Sequence, residues 1–339
     1  MRKGVKMTKS NDLGVGVIGC GWAGRNAATQ VTKVPRARLV GIFDVDESAV
    51  REHAAAYDVP AFTDLDKLIT RPELDAIMIG SPQFAHKAQV LAAAAHGKHI
   101  FCEKPMALSL SDCDEMLDAA REAGVVFCVG QVLRLIGVYA KSRELIESEQ
   151  LGSPLGIAVV RCSGPFSADE HWRAKQELCG GTLFEFSVHE LDFMRHLCGE
   201  PEEVFAQSQK ILRSSPSDYP DHWHVQVRFK GGAIGMLRAS QCQTLGEGYF
   251  SIQCPHGTIT TNRGDGNLRV KKVDGPEIEV TKDELSQMPN GFFVEVKSWI
   301  DAIHDNTPMI VNAFDGRQAV AMVSAAMESA RTGKPCAVR

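Results

Sequence analysis

Four side chains in this sequence could move protons, and one glycine-rich stretch could hold a phosphate. Glu185, His189 and Asp192 are spaced i, i+4, i+7. On a helix of 3.6 residues per turn they fall within about 60° of arc. A carboxylate beside an imidazole would orient the ring and tune its pKa toward neutrality, as a general acid/base requires. The fourth side chain is Lys104, in Glu103-Lys104-Pro105. Preceding a proline, it is biased to an extended conformation, and at a strand end its ammonium would face a cleft. On periodicity alone, a structural His–Asp pair explains the first group equally well, and the triplet is a weak sign by itself.

Gly19-x-Gly21-x-x-Gly24 spans Trp22 and Ala23 and follows the apolar stretch Val15-Gly16-Val17-Ile18. Gly19 permits a tight turn, Gly21 lets a phosphate approach the backbone, and Gly24 lets a helix pack on the strand. Amides at that helix start would hold a pyrophosphate. The motif is weak alone, but its place between a strand and a helix is the context that supports dinucleotide binding. Asp44 ends the next strand, twenty residues after Gly24. A carboxylate there accepts from the adenosine ribose hydroxyls and repels a 2′-phosphate. Val45, Asp46, Glu47 and Ser48 follow it without a basic residue, which favours NAD over NADP.

These groups need a scaffold. From Leu13 to about Val129 the near-continuous apolar strands 38–43, 74–80, 99–102 and 125–129 alternate with amphipathic segments at 48–57, 86–96 and 109–123. Ser109 and Ser111 are candidate N-caps. That alternation predicts a parallel sheet covered on both faces. Beyond a helix near 138–148 the pattern changes to alternating strands, clearest at His222–Phe229. Helices are expected at Glu185–Leu197, Val294–His304 and Phe314–Arg331. The fold class is therefore α/β, with a dinucleotide-binding domain at 13–133 and a second domain at 134–339 that carries an antiparallel sheet with one face buried. The last helix is expected to pack back toward the first domain, and residues 1–12 form a flexible leader.

Strand Ala233–Gln243 carries Ala233, Gly235, Leu237, Ala239 and Gln241 on one face and Ile234, Met236, Arg238, Ser240 and Cys242 on the other. Neither reads as an ordinary solvated surface. Apolar exposure of this kind marks an interface. It predicts a homodimer or homotetramer built through the second sheet, with Leu237 at the contact.

The chain has 339 residues and a formal net charge of -5. It lacks the clustered basic footprint of a nucleic-acid binder and any apolar run of about 18 residues that could span a membrane. Its ten cysteines form no CxxC pair, which fits free thiols in a reducing cytoplasm. His222 and His224 share a strand face, but no carboxylate or cysteine joins them nearby, and no metal is expected.

Taken in order, the segments GCGWAG, FDVD, GSPQFAH, GKHIFCEKPMALS, GQVLR, GGTLFEFSVHELD and DGRQAVAMVSAAMESARTGKP resemble the glucose–fructose oxidoreductase, inositol dehydrogenase and rhizopine-catabolism family from Val15 to Ala337. The resemblance implies a Rossmann domain at 13–133 followed by an α/β domain at 134–339 with a large, open, mostly antiparallel sheet, together with nicotinamide cofactors and sugar, cyclitol or related polyol substrates. It puts Lys104 at the family's catalytic lysine and His189 at its catalytic histidine. Ser81, Pro82 and His86 match a segment against the cofactor, and Glu103 and Gln131 match positions near the nicotinamide. Trp172, Arg173 and Arg134 fall where substrate or cofactor contacts are expected. Many members carry Asp where this chain has Glu185, which leaves the preferred sugar and the reaction type open. The expected activity is NAD-dependent oxidation of a secondary hydroxyl on a sugar, sugar derivative or cyclitol. The alternatives are glycoside cleavage by transient oxidation and elimination, and a non-catalytic NAD-responsive regulator.

Overall fold

The computed structural model describes residues 12–148, 150–165, 171–261 and 265–339. The first half alternates as its apolar pattern requires. Strand β1 (Leu13–Ile18) leads to α1 (Trp22–Val31), β2 (Ala37–Phe43) to α2 (Glu47–Ala55), and β3 (Ala61–Phe62) to α3 (Leu65–Ile69). Then come β4 (Ala76–Ile79), α4 (His86–Ala95), β5 (His99–Cys102), α5 (Leu110–Ala123) and β6 (Phe127–Val129). All six strands pair in parallel, in the order β3-β2-β1-β4-β5-β6. Every residue of β1 and β4 is buried, as expected of strands covered on both faces. Ser109 caps α5 by accepting from the Asp112 amide, which satisfies one of the orphan donors of the first turn.

The second half runs through α6 (Gly137–Glu147), β7 (Gly156–Cys162), α7 (Gln176–Cys179) and α8 (Val188–Cys198). Strands β8 (Pro201–Gln209), β9 (His222–Phe229), β10 (Ile234–Ser240) and β11 (Glu247–Cys254) follow. Next come β12 (Gly257–Thr261), β13 (Leu268–Lys272), β14 (Glu277–Val280), α9 (Lys282–Ser286), α10 (Gly291–Asp305), α11 (Ala313–Thr332) and β15 (Cys336–Ala337). The strands form one sheet in the order β14-β13-β12-β11-β7-β10-β9-β8-β15. Its pairs are antiparallel except β7 with β10.

In β9, Trp223, Val225, Val227 and Phe229 are buried and alternate with polar residues. Helices α8 and α11 cover this face, and Leu237 lies on it at 0% exposure. The expected place of Leu237 at a subunit contact is therefore corrected: the chain's own helices bury it. The other face is the open one, where Ile234 is 62% and Met236 44% exposed.

α11 reaches both sheets. It starts in a capping box between Asn312 and Asp315. Gly316 packs so closely on β6 that a methyl group there would lie 2.7 Å from the Val129 side chain. Arg317 pairs with Asp114 of α5 at 2.9 Å.

Candidate active site

The β1–α1 turn supplies the first part of the site. Gly19 has φ +101°, and an added Cβ there would lie 2.8 Å from Gly80 backbone atoms. A Cβ on Gly24 would lie 1.8 Å from the Gly19 carbonyl oxygen, so the helix can sit on the turn only with glycine at 24. Among the described residues, a Cβ on Gly21 would meet nothing within 4 Å. The open side of Gly21 faces a cavity of about 570 Å3, bordered by Gly19, Trp22, Ala23, Asp44, Pro82 and Lys104 among others. Gly21 is the N-cap of α1 and has no side chain with which to cap it, so first-turn amides remain for an anionic ligand. A pyrophosphate fits such a cradle.

Asp44 is fixed at the cavity wall. Its Oδ2 accepts from the Cys20 amide at 2.6 Å and its Oδ1 from the Asp46 amide at 3.0 Å. Val45 (84% exposed) and Trp22 (71%) flank the same opening. The Arg25 guanidinium, which the sequence reading passed over, donates to the Cys20 carbonyl at 3.0 Å and pairs with Glu52 at 3.3 Å.

At the other end, Ser81, Pro82, Glu103, Lys104, Trp172, Arg173 and Glu185 border the cavity. Lys104 Nζ donates to the Glu185 carbonyl oxygen at 2.8 Å. The Glu185 carboxylate accepts from Arg173 Nε at 2.7 Å and from Gln83 Nε2 at 2.8 Å. The Arg173 guanidinium lies 4.4 Å from the centroid of Trp172, and Trp172 meets Phe84 edge-on at 6.4 Å. Glu103 is half-buried, and desolvation raises its pKa. The His86 nitrogens face the carbonyls of Pro105 at 3.0 Å and Ser81 at 2.9 Å. As a neutral ring His86 donates to one of the two carbonyls, and it lies behind Ser81 instead of bordering the cavity.

His189 Nδ1 is 2.8 Å from Oε1 of Gln131, which is fully buried. With Nδ1–H donating to that carbonyl oxygen, Nε2 is left as the proton acceptor. Burial lowers the His189 pKa well below the usual histidine value, and the charges of Lys104 and Arg161 add to the effect. The ring is therefore neutral near pH 7.

Two expectations are corrected here. Glu185, His189 and Asp192 do not form one acid–imidazole face. Leu183–Ser187 is a π-helical turn, and the regular helix begins only at Val188. The wider turn sets Glu185 apart, toward Arg173 and Gln83, while within the regular helix His189 turns to Gln131 and Asp192 to Arg134. Arg134, expected at the substrate, is 5% exposed. Its Nε and Nη2 each donate to Asp192 at 2.6 Å, and Asp315 lies 3.3 Å away. That network ties α8 to α11. Gln83 was missed, although it directly follows Pro82 in the sequence. His222 and His224 approach with Nε2 atoms 3.1 Å apart, and no group of three metal-ligating side chains occurs among the described residues. All ten cysteines are free.

The model of the oxidoreductase family with an NAD-binding Rossmann fold matches residues 13–131, and that of its C-terminal alpha/beta domain matches 143–338. The chain is 30% identical to 2,7-anhydro-N-acetylneuraminate hydratase of Mediterraneibacter gnavus over 78% of this chain and 71% of the relative. It is 27% identical to myo-inositol 2-dehydrogenase of Thermotoga maritima over 93% and 95%. Levoglucosan dehydrogenase, solved with NADH and levoglucosan, superposes with a TM-score of 0.87 at 24% identity, covering 96% of this chain and 99% of that one. With both domains matched in order, this chain belongs to the glucose–fructose oxidoreductase, inositol dehydrogenase and rhizopine-catabolism family of NAD-binding oxidoreductases.

Proposed function

We propose that this protein oxidises a secondary hydroxyl of a sugar, sugar derivative or cyclitol, with NAD preferred over NADP. The observation that carries the reading is a half-buried imidazole held by Gln131 and within reach of the charge of Lys104, whose tethered ammonium borders the cavity beside the β1–α1 turn. Bound NAD would supply the hydride acceptor. His189, held by Gln131, takes the hydroxyl proton at Nε2. Lys104 donates to the same oxygen and stabilises the negative charge that develops there, usually the largest single contribution to lowering a barrier. Glu185, Arg173 and Trp172 would shape the substrate's entry. Residues 13–133 would serve the nucleotide and 134–339 the substrate. The dehydrogenase relatives named above act on a cyclitol and, by its bound ligand, an anhydrosugar, which supports the substrate class.

The test is a panel of inositols, aldoses, sugar acids and glycosides followed at 340 nm. Lys104→Ala and His189→Ala should each lose most turnover and retain NAD binding. Near-normal rates in both variants would refute the assigned roles. The hydratase relative favours a second reading, in which oxidation is transient and elimination precedes return of the hydride. Substrate consumption without net NADH would select it.

The exposed Ile234 and Met236 support assembly through the open face of the second sheet, as a homodimer or a homotetramer. The free thiols fit a reducing, cytoplasmic setting. No described helix is long and apolar enough to cross a membrane.

A further inference from the structure

We propose that a second cavity, bordered by the helix that carries His189, receives an anionic group of the substrate, with Arg161 as its receptor. The proposal rests on the oxidoreductase reading above. The cavity measures about 520 Å3, within the size range of small-molecule sites. Leu133 and Glu190, near neighbours in sequence of Gln131 and His189, border it, and Tyr139, Tyr249 and Phe250 form walls.

Arg161, on β7, is held from two sides. One guanidinium nitrogen donates to Glu190 Oε1 at 2.6 Å, and the guanidinium carbon lies 4.1 Å from the centroid of Phe186. The Glu190 side chain is 2% exposed, whereas that of Arg161 is 34% exposed. One oxygen of the buried acid holds the guanidinium, the other has no partner among the described residues, and the guanidinium is the more exposed of the two where both border the cavity. A planar donor fork fixed by a buried carboxylate and an aromatic ring loses little freedom on binding. A carboxylate or a phosphate matches such a fork with two parallel hydrogen bonds. Phe186 and Glu190, which hold Arg161, lie on either side of His189 in the chain, which sets this receptor near the reacting end of the site. Lys282 and Asp265 border the same cavity and bring opposite charges to it. Glu190 borders it too, but at 2% exposure against 34% for Arg161 it leaves the guanidinium as the charge a ligand meets.

Calorimetric titration of the NADH-saturated full chain with glucuronate, glucose 6-phosphate and glucose tests the proposal. At least one anion should bind about ten-fold or more tighter than glucose. The advantage should vanish in Arg161→Ala, persist in part in Arg161→Lys, and leave NADH affinity unchanged in both. Preference for glucuronate assigns a carboxylate, and preference for glucose 6-phosphate a phosphate. Because Arg161→Ala strands a buried carboxylate, the double variant Arg161→Gln with Glu190→Gln guards against loss of the fold. Glucose binding as tightly as both anions, neither anion binding at millimolar concentration, or an advantage unchanged in the variants would overturn the proposal. Failure to bind NADH at all would instead overturn the oxidoreductase reading, and the inference with it.

Discussion

Asp44 offers the sharpest test of cofactor choice. Its two oxygens already hold the amides of Cys20 and Asp46, so the carboxylate cannot swing away from an incoming 2′-phosphate. A pair of unit charges about 4 Å apart repels by about 1 kcal/mol in water and about 4 kcal/mol near a protein surface. A phosphate carries roughly -1.5 to -2 at neutral pH. The lower bound is therefore about 1.5 kcal/mol, or roughly ten-fold in affinity. Arg25 does not cancel this, because its guanidinium is shared between the Cys20 carbonyl and Glu52. Asp44→Asn removes the charge and keeps one oxygen for an amide, at about 1 kcal/mol of stability for the weaker contact. Fluorescence titration with NADH and NADPH should show at least a ten-fold preference for NADH in the parent chain at low salt. In Asp44→Asn that preference should shrink to about three-fold or less. Asp44→Ser with Val45→Arg should reverse it. Equal affinities in the parent chain, or an unchanged ratio in Asp44→Asn, would refute the electrostatic argument.

Gly21→Ala places its methyl group in open cavity; it should keep the parent melting temperature and lose NADH affinity by ten-fold or more, about 1.4 kcal/mol. Gly24→Ala meets the Gly19 carbonyl oxygen and should lower the melting temperature itself, which differential scanning fluorimetry separates from binding. Met236→Asp, on the open face, should reduce the light-scattering mass to about that of one chain without loss of helicity, whereas Leu237→Asp puts a charge into a fully buried position and should unfold the chain. Burial lowers the pKa of His86 and His189, and that of His196 to about 3. Unfolded histidines take up protons below about pH 6.5, whereas in the fold these three do so only at lower pH. Stability should therefore fall steadily as pH drops below that value toward the folded pKa values. Urea midpoints that stay level from pH 7 to 5 would contradict it.

The first sheet was legible because buried parallel strands must be apolar throughout, and the glycine turn because backbone contacts at Gly19 and Gly24 leave no room for a side chain. The Ser109 cap was legible for an equally local reason. Alternation in β10 gave two faces but not the one that α8 and α11 cover, since Leu237 and Met236 are both apolar. The separation of Glu185 from His189 escaped because a five-residue π-helical turn breaks the 3.6-residue period without changing its composition. Arg134 was misplaced because its partners, Asp192 and Asp315, lie 58 and 181 positions further along the chain. Local pattern carries no signal over that distance.

The tether of Lys104 is made to the main chain of residue 185, not to its side chain. Every amino acid carries that carbonyl, so the lysine keeps its anchor whichever acid occupies the position. The side chain meanwhile answers to Gln83 and Arg173. Descendant sequences can therefore exchange aspartate for glutamate at 185 and explore new substrates while the ammonium stays in place, and the two traits can drift independently.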